Sequence, residues 1–397
     1  RYGHWRVNSL SERMKSFIIL REFPILFWHA TFAVLALIIT ARYDEIMFEF
    51  KCGWSEIFLA ESLFSFLYSI FLLIWGILVF VLSPLHILIF SLLLDLFLSL
   101  LMITANDVFV FILIRGLFGI PAASNYPADS RIITEKFKAG ERTRGFILLG
   151  YADAIGLGGI FLFGVITRHI LSWRKLFVIN FILSVISLIV CILFALKEKT
   201  IHIKKGKRIL HLKNSITFIS FIYGFLFSAS FSIFSRVFMY YISSVTKISL
   251  KISGIIQILV GVGTVIGYPI CKKLDYFLFQ GRRNIYKKYA IISAVLSGIF
   301  FSTSVVLITI SDFLIYSLLL AFLAYGTSSP LLSAFFSYTS QEHPIEFISA
   351  TEKLGESIAT SVSLAIASVL INMIGMKLTL LSFFASLFLI AVIWIFI

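Results

Sequence analysis

The sequence predicts an all-α membrane protein of about twelve transmembrane helices, arranged as two six-helix pseudo-repeats with both termini in the cytoplasm. Three observations carry this expectation. Hydrophobic residues make up 59% of the chain and charged residues 14%, with a mean hydropathy of +1.00, far outside the range of a soluble domain. The apolar residues fall into runs that each reach the length of about 20 residues needed to cross a bilayer. Finally, the Lys and Arg residues, 34 against 20 Asp and Glu, gather in short loops at alternate boundaries of those runs, as membrane topology requires.

In order, the runs lie at residues 25–50, 55–81, 84–104, 107–131, 144–167, 173–196, 214–242, 251–271, 288–310, 313–338, 346–372 and 376–397. If the chain starts inside, the basic residues before Pro24 and those of 131–144, 197–213 and 272–288 all lie on the inner side. The longest polar segment, KEKTIHIKKGKRILHLK, divides the chain. The expected domains are a cytoplasmic segment 1–24, a six-helix half 25–196, a basic cytoplasmic linker 197–213 and a second half 214–397. Asp153 and Glu356 lie at the same sequence separation as Pro127 and Pro330, and Arg42 pairs with Arg236 at a similar one. Two homologous halves of this kind pack around a central cavity near the bilayer midplane.

Several function classes are set aside. The basic residues form no contiguous face, so no nucleic acid partner is expected. Cys52, Cys191 and Cys271 are scattered among apolar runs and make neither a disulfide nor a metal pattern. The histidines are dispersed, which argues against a membrane enzyme and against a metal site. The Gly-x-Gly steps sit inside apolar runs without the strand that a phosphate-binding loop requires, so they read as helix-packing positions and no cofactor is expected. Ionisable residues deep in apolar sequence cost several kcal/mol if unpaired, about 2.5 to 3.5 on insertion scales, and so mark a solute or ion pathway. The expected partners are a small-molecule substrate and membrane lipid, with the chain a monomer in the plasma membrane.

The stretch RGLFGIPAASNYPADSRIITEKFKAGERTRGFILLGYADAIGLGG, followed by SWRKLFVINFILS, resembles helices 4 to 6 of the major facilitator superfamily. The features are Arg115 with Gly116 and Gly119, the Tyr126-Pro127 step, Glu135 spaced from Arg142 as E-x6-R, Arg144-Gly145 and Trp173-Arg174. The resemblance implies a secondary transporter of the 6+6 fold working by alternating access. One departure is plain: the segment GILVFVLSPLH, where the family carries a charged latch between helices 2 and 3, has no Lys, Arg, Asp or Glu. A partial equivalent stands in the second half at 267–284. Within the superfamily, Arg42, Arg115 and Arg236 resemble the arginines of the anion:cation symporters, and the first and last those of the organophosphate:phosphate antiporters. Tyr43-Asp44 and Asn125-Tyr126-Pro127 resemble the proton-coupled phosphate and aromatic-acid symporters.

On this reading Arg42 and Arg236 hold an anionic group from opposite halves through bidentate forks, with Arg115, Asn125 and Tyr126 beside them. The competing reading of Arg42 is that Asp44, Glu45 or Glu49 neutralises it near the outer interface. Asp44, Asp129 and Glu61 are the candidates for proton coupling. Glu135, Arg142, Arg144, Asp153, Glu352, Lys353 and Glu356 are the candidates for gating ion pairs. Asp95 has no assigned role; helix 2 or an internal water is the expected neighbour. The leading function is transport of a small organic or inorganic anion, with proton coupling. The alternatives are a drug or neutral-metabolite transporter, or a receptor or partner subunit that uses the same fold without transporting.

Overall fold

In the computed structural model the described residues are 22–137, 142–197, 215–263, 283–310, 313–339 and 345–396. Most of segment 1–24 and nearly all of the linker 197–213 and of the loop motif at 267–284 fall outside them. Among the described residues nine helices are long and apolar enough to cross a membrane, and two more are apolar but shorter. One of the nine, Ile345–Phe396, contains a break at Gly375, whose φ of 79° lies in the left-handed region. Divided there, the described residues form twelve helical segments: α1 (Glu22–Phe50), α2 (Trp54–Leu78), α3 (Pro84–Ile103), α4 (Val108–Lys136), α5 (Arg142–Ile166), α6 (Trp173–Lys197), α7 (Ser215–Thr246), α8 (Leu250–Gly263), α9 (Arg283–Leu307), α10 (Leu314–Thr339), α11 (345–374) and α12 (376–396). This is the 6+6 architecture expected from the sequence, and the chain is an integral, multi-pass membrane protein.

Local chemistry explains where the helices start and bend. Asp107 caps α4, its Oδ1 accepting from the backbone N–H groups of Phe109 (2.7 Å) and Val110 (3.2 Å). Within α4 the helical segments stop at Leu117 and again at Ala122. Pro121 and Pro127 cannot donate to the carbonyls of Leu117 and Ala123, so each proline loosens the helix one turn upstream of itself. In α1 the α-helix gives way to a 3-10 turn at Thr40–Arg42. Lipid-facing positions remain apolar and exposed, as at Phe90, Leu93, Phe97, Ile182, Ile186 and Leu193 on α3 and α6.

Two close crossings relate the halves. A Cβ on Gly156 of α5 would lie 2.3 Å from the carbonyl oxygen of Ala30 on α1, and one on Gly355 of α11 would lie 2.1 Å from that of Phe221 on α7. Only glycine allows either backbone approach. The crossings are equivalent, α5 on α1 and α11 on α7, and Asp153 and Glu352 each lie three residues before their glycine. The structural counterpart of Asp153 is therefore Glu352, one turn from the Glu356 that sequence separation pairs with it.

Taking the orientation that the charge distribution predicts, the outer ends of the halves are joined by an aromatic knot. Tyr240 of α7 donates its hydroxyl to the Thr40 carbonyl (2.9 Å) and accepts from the Tyr43 N–H (3.0 Å). Its ring stacks on Tyr43 at 5.9 Å and meets Trp54 edge-on at 5.1 Å. Along α2 and α11 the joints are hydroxyls: Ser62 and Ser361 each donate to the other's carbonyl at 3.0 Å, and Ser69 donates to Ser357 at 2.8 Å.

Candidate functional site: a cavity between the halves

A cavity of about 600 Å³ lies between the halves, lined from α1, α2, α4 and α5 on one side and from α7, α8, α10 and α11 on the other. Its wall contains Arg236, Asn125, Tyr126, Asp153, Lys353 and Glu356, six of the residues singled out in the sequence. Aromatic rings and hydroxyls, among them Phe64, Phe231, Tyr325, Ser228 and Thr360, fill much of the rest.

Three buried polar groupings surround this cavity. In the first, Glu61 of α2 is gripped by two arginines. Arg115 of α4 donates from Nε (3.1 Å) and Nη2 (3.0 Å) to Oε1, and from Nη2 to Oε2 at 3.0 Å. It also bonds the carbonyls of Leu35 (2.6 Å) and Ala36 (3.3 Å) and lies 4.1 Å over the Phe64 ring. Arg236 reaches the same carboxylate from α7 through Nε at 3.3 Å. Its Nη1 folds back onto the Ser232 carbonyl at 3.3 Å, and among the described residues its Nη2 has no protein acceptor. One carboxylate thus faces two guanidinium groups, and the contact with the second half is the longer and weaker.

The second grouping is one that sequence reasoning missed. His29 of α1, fully buried, bonds Asp129 through Nδ1 (2.6 Å) and Asp153 through Nε2 (3.2 Å). Trp28 Nε1 donates to the other Asp129 oxygen at 2.7 Å. Asp129 is sealed from the cavity, whereas the Asp153 side chain is 32% exposed. The chain Asp129–His29–Asp153 therefore runs from a closed interior to the cavity wall. The sequence carries a weak signal for it, a histidine in the first turns of an apolar run, which its scatter among the other histidines hides. Asp129 does not share the cavity face with Asn125: Asn125 lines the wall and Asp129 turns to α1.

The third grouping belongs to α11. Lys353 pairs with Glu356 at 2.6 Å and lies 5.0 Å over the Tyr126 ring, which also meets His29 edge-on at 5.8 Å. Glu352 is fully buried, and neither carboxylate oxygen has a hydrogen-bond partner among the described residues.

The remaining expected residues stand elsewhere. Arg42 is not at the cavity and does not meet Arg236 there. It is buried at the outer end of α1, bonded to Glu45 (3.0 Å), the Arg168 carbonyl (2.8 Å) and Thr167 (3.2 Å), because the 3-10 turn directs it toward the loop between α5 and α6. Asp44 pairs with Arg168 in the same place and is likewise outside the cavity wall. Arg131 and Glu135 form an ion pair one turn apart at the inner end of α4. Arg142 and Arg144 lie on the described helix α5, but their side chains fall outside the described residues. Asp95 faces α6 and not helix 2: Asn180 donates to it at 3.0 Å and Ser184 bonds its other oxygen at 2.5 Å. It fastens the peripheral pair α3–α6. Among the described residues no group of three His, Cys, Asp or Glu side chains is placed to hold a metal ion.

This fold and this cavity define a carrier of two halves around a central site. The family model of the Major Facilitator Superfamily matches residues 25–351, and the chain belongs to that superfamily. It is a secondary transporter that works by alternating access, and not an enzyme. Solved structures of the same fold include a bacterial homolog of the human lysosomal transporter Spinster. In its inward-facing, unoccupied form the TM-score is 0.71 at 12% identity, with 95% of this chain and 96% of that one covered. In its inward-facing, occupied form the TM-score is 0.72 at 10% identity, with 96% of each chain covered. A point mutant of the nucleoside transporter NupG aligns with a TM-score of 0.70 at 13% identity, covering 95% of this chain and 99% of that one. No curated protein matches at the level of sequence.

Proposed function

We propose that the chain moves a small anionic solute, coupled to protons, and that Arg236 anchors the anionic group. The observation that supports this reading is the sharing of Glu61 between Arg115 and Arg236. The triad carries a net positive charge, Arg236 is its member at the cavity wall, and the Nη2 of Arg236 has no acceptor among the described residues. An anion that binds Arg236 competes with Glu61 for it. Because Arg115 holds Glu61 through three hydrogen bonds within the first half, the carboxylate stays with that half and the second half is released. Substrate binding thereby weakens a contact between the halves, the differential interaction that alternating access needs.

The proton is carried by Asp153, His29 and Asp129, with Asp153 as the entry from the cavity. Glu61 serves as the substrate's competitor, and Arg42 and Asp44 fasten the outer end of the first half. Asn125 and Tyr126 form the cavity wall. Lys353 with Glu356, Glu352 beside them, and the inner-face residues Glu135, Arg142 and Arg144 are the gating groups. The chain acts as a monomer in the plasma membrane, with both termini and the linker cytoplasmic.

The test is uptake by the purified full chain in proteoliposomes under an imposed pH gradient, with radiolabelled inorganic phosphate, short carboxylates and a neutral sugar as probes. Gradient-driven anion uptake that falls at least tenfold in Arg236→Ala and partly returns in Arg236→Lys is the expected result. Movement of the neutral sugar with Arg236→Ala unimpaired would overturn the anion reading.

A further inference from the structure

The cavity is electrically two-ended. Near its outer end the triad of Arg115, Glu61 and Arg236 carries one positive charge in excess. Toward its inner end stand, among the described residues, Asp129, Asp153, Glu352 and Glu356 with His29 and Lys353, so with Asp129, Asp153 and Glu356 ionised this end is net negative even with His29 protonated and Glu352 neutral. Opposed charges on the walls of a low-dielectric cavity set up a field along it that orients a dipolar solute.

Both ends also present unused hydrogen-bonding capacity. At the outer end it is Arg236 Nη2. At the inner end His29 holds Asp153 through Oδ1, which leaves Oδ2 without a protein donor among the described residues, and Lys353 holds Glu356 through Oε2, with the Glu352 carboxyl beside Glu356. The Asp153 side chain is 32% exposed and that of Glu356 18%.

Helical rise fixes the separation. The Arg236 guanidinium folds back one turn to the level of Ser232. Ser228 lies one turn further inward and is bonded at 2.9 Å to Thr360 of α11, and Glu356 lies one turn inward of Thr360. Two turns, about 11 Å, therefore separate the level of the Arg236 guanidinium from the level of Glu356 on α11. Hydroxyls and the aromatic rings of Phe231 and Tyr325 line the stretch between them, with neither charge nor metal ligand.

We infer that the solute is dipolar: it carries an anionic group for Arg236 and, several bonds away, a cationic amine for Asp153 and Glu356, joined by a largely apolar span. This inference rests on the anion reading above and narrows it. A compact anion such as phosphate satisfies only one end and leaves the acidic end without a partner.

The experiment measures thermal stabilisation of the purified full chain in detergent, since a ligand that binds only the folded state raises its stability with concentration. The probes are the ω-amino acids from 4-aminobutanoate to 8-aminooctanoate, with hexanoate and hexylamine as one-ended controls. We expect a maximum shift at intermediate length, with 6-aminohexanoate binding about tenfold more tightly than hexanoate. In Asp153→Asn and, separately, in Glu356→Gln, that advantage shrinks while hexanoate binding persists; Arg236→Gln loses both. Equal binding of hexanoate and 6-aminohexanoate overturns the dipolar inference and leaves the anion reading standing. Binding of hexylamine that survives Arg236→Gln, with no binding of any carboxylate, overturns both. A chain that responds to none of the series overturns the dipolar inference, and the phosphate and carboxylate uptake above then judges the anion reading by itself.

Discussion

The two halves share a helical plan but bury different chemistry. In the first half the fully buried charged groups are partnered: Glu61 by Arg115, Asp129 by His29 and Trp28, Asp95 by Asn180 and Ser184, and Arg42 by Glu45. In the second half the described buried polar residues are almost all serines, among them Ser230, Ser253, Ser297 and Ser304, with Arg236 and the unpartnered Glu352 as the charged exceptions. Ion pairs tie a helix to one arrangement, because breaking them leaves a buried charge. Serine hydroxyls can fall back on their own helix, as Ser297 does on the Ser293 carbonyl at 2.7 Å, and cost little to rearrange. The contrast assigns charge chemistry to a rigid first half and adaptable packing to the second.

The strongest test of that contrast is Glu61→Gln. It leaves Arg115 and Arg236 facing one another without a counter-charge, and breaking such a buried pair costs about 3 to 5 kcal/mol. A loss of that size in denaturant unfolding of the detergent-solubilised chain is expected. A loss under about 1 kcal/mol would mean that the first half is not held by its charges.

His29→Asn comes next and sharpens the comparison on function. The variant keeps side-chain polarity while removing the ring that bridges Asp129 and Asp153, so gradient-driven uptake is expected to fall at least tenfold. Exchange of labelled for unlabelled solute at equal pH, which needs no net proton movement, is expected to persist. Equal loss of both would place His29 in binding or folding instead of proton transfer.

Tyr240→Phe tests how the halves are joined. It keeps the ring stack on Tyr43 and removes both hydroxyl bonds across the outer end, each worth about 1 kcal/mol. Together that corresponds to a rise of roughly thirtyfold in the outward-open population, read from spin-label distances between the outer ends of α1 and α7.

How much of this was legible in the sequence follows from what each feature depends on. The spans and the split into halves follow from run length and charge, which are local properties, and the breaks in α4 follow from Pro121 and Pro127. Arg236, Asp153, Lys353 and Glu356 stand out because a charge in an apolar run is conspicuous, and all four line the cavity. What the sequence does not carry is helix rotation. Arg42 and Arg236 lie at similar depth, yet a three-residue 3-10 turn sends Arg42 to the α5–α6 loop. The partners of Asp95 are the uncharged Asn180 and Ser184, one turn apart on α6, and neither is conspicuous alone. The pairing of Asp153 with Glu352 instead of Glu356 depends on where two glycine crossings fall, which spacing alone misplaces by one turn.

The smallest expected effect is the sharpest mirror of the first. Glu352 occupies the place in the second half that Asp153 occupies in the first, but no histidine meets it among the described residues and both of its oxygens lack a partner there. Replacing this buried carboxyl with a neutral amide of the same shape removes the cost of burying a charge and breaks no ion pair with the described residues. Glu352→Gln is therefore expected to leave unfolding stability unchanged within about 1 kcal/mol, or to raise it, under the conditions in which Glu61→Gln is strongly destabilising. The α7–α11 crossing stays closed in the variant, because Gly224 and Gly355 and not the carboxylate set the approach of the backbones. Denaturant unfolding of the two variants side by side decides the matter. Comparable destabilisation by both would show that Glu352 has a partner in the membrane, and the asymmetry between the halves would then lie in packing alone.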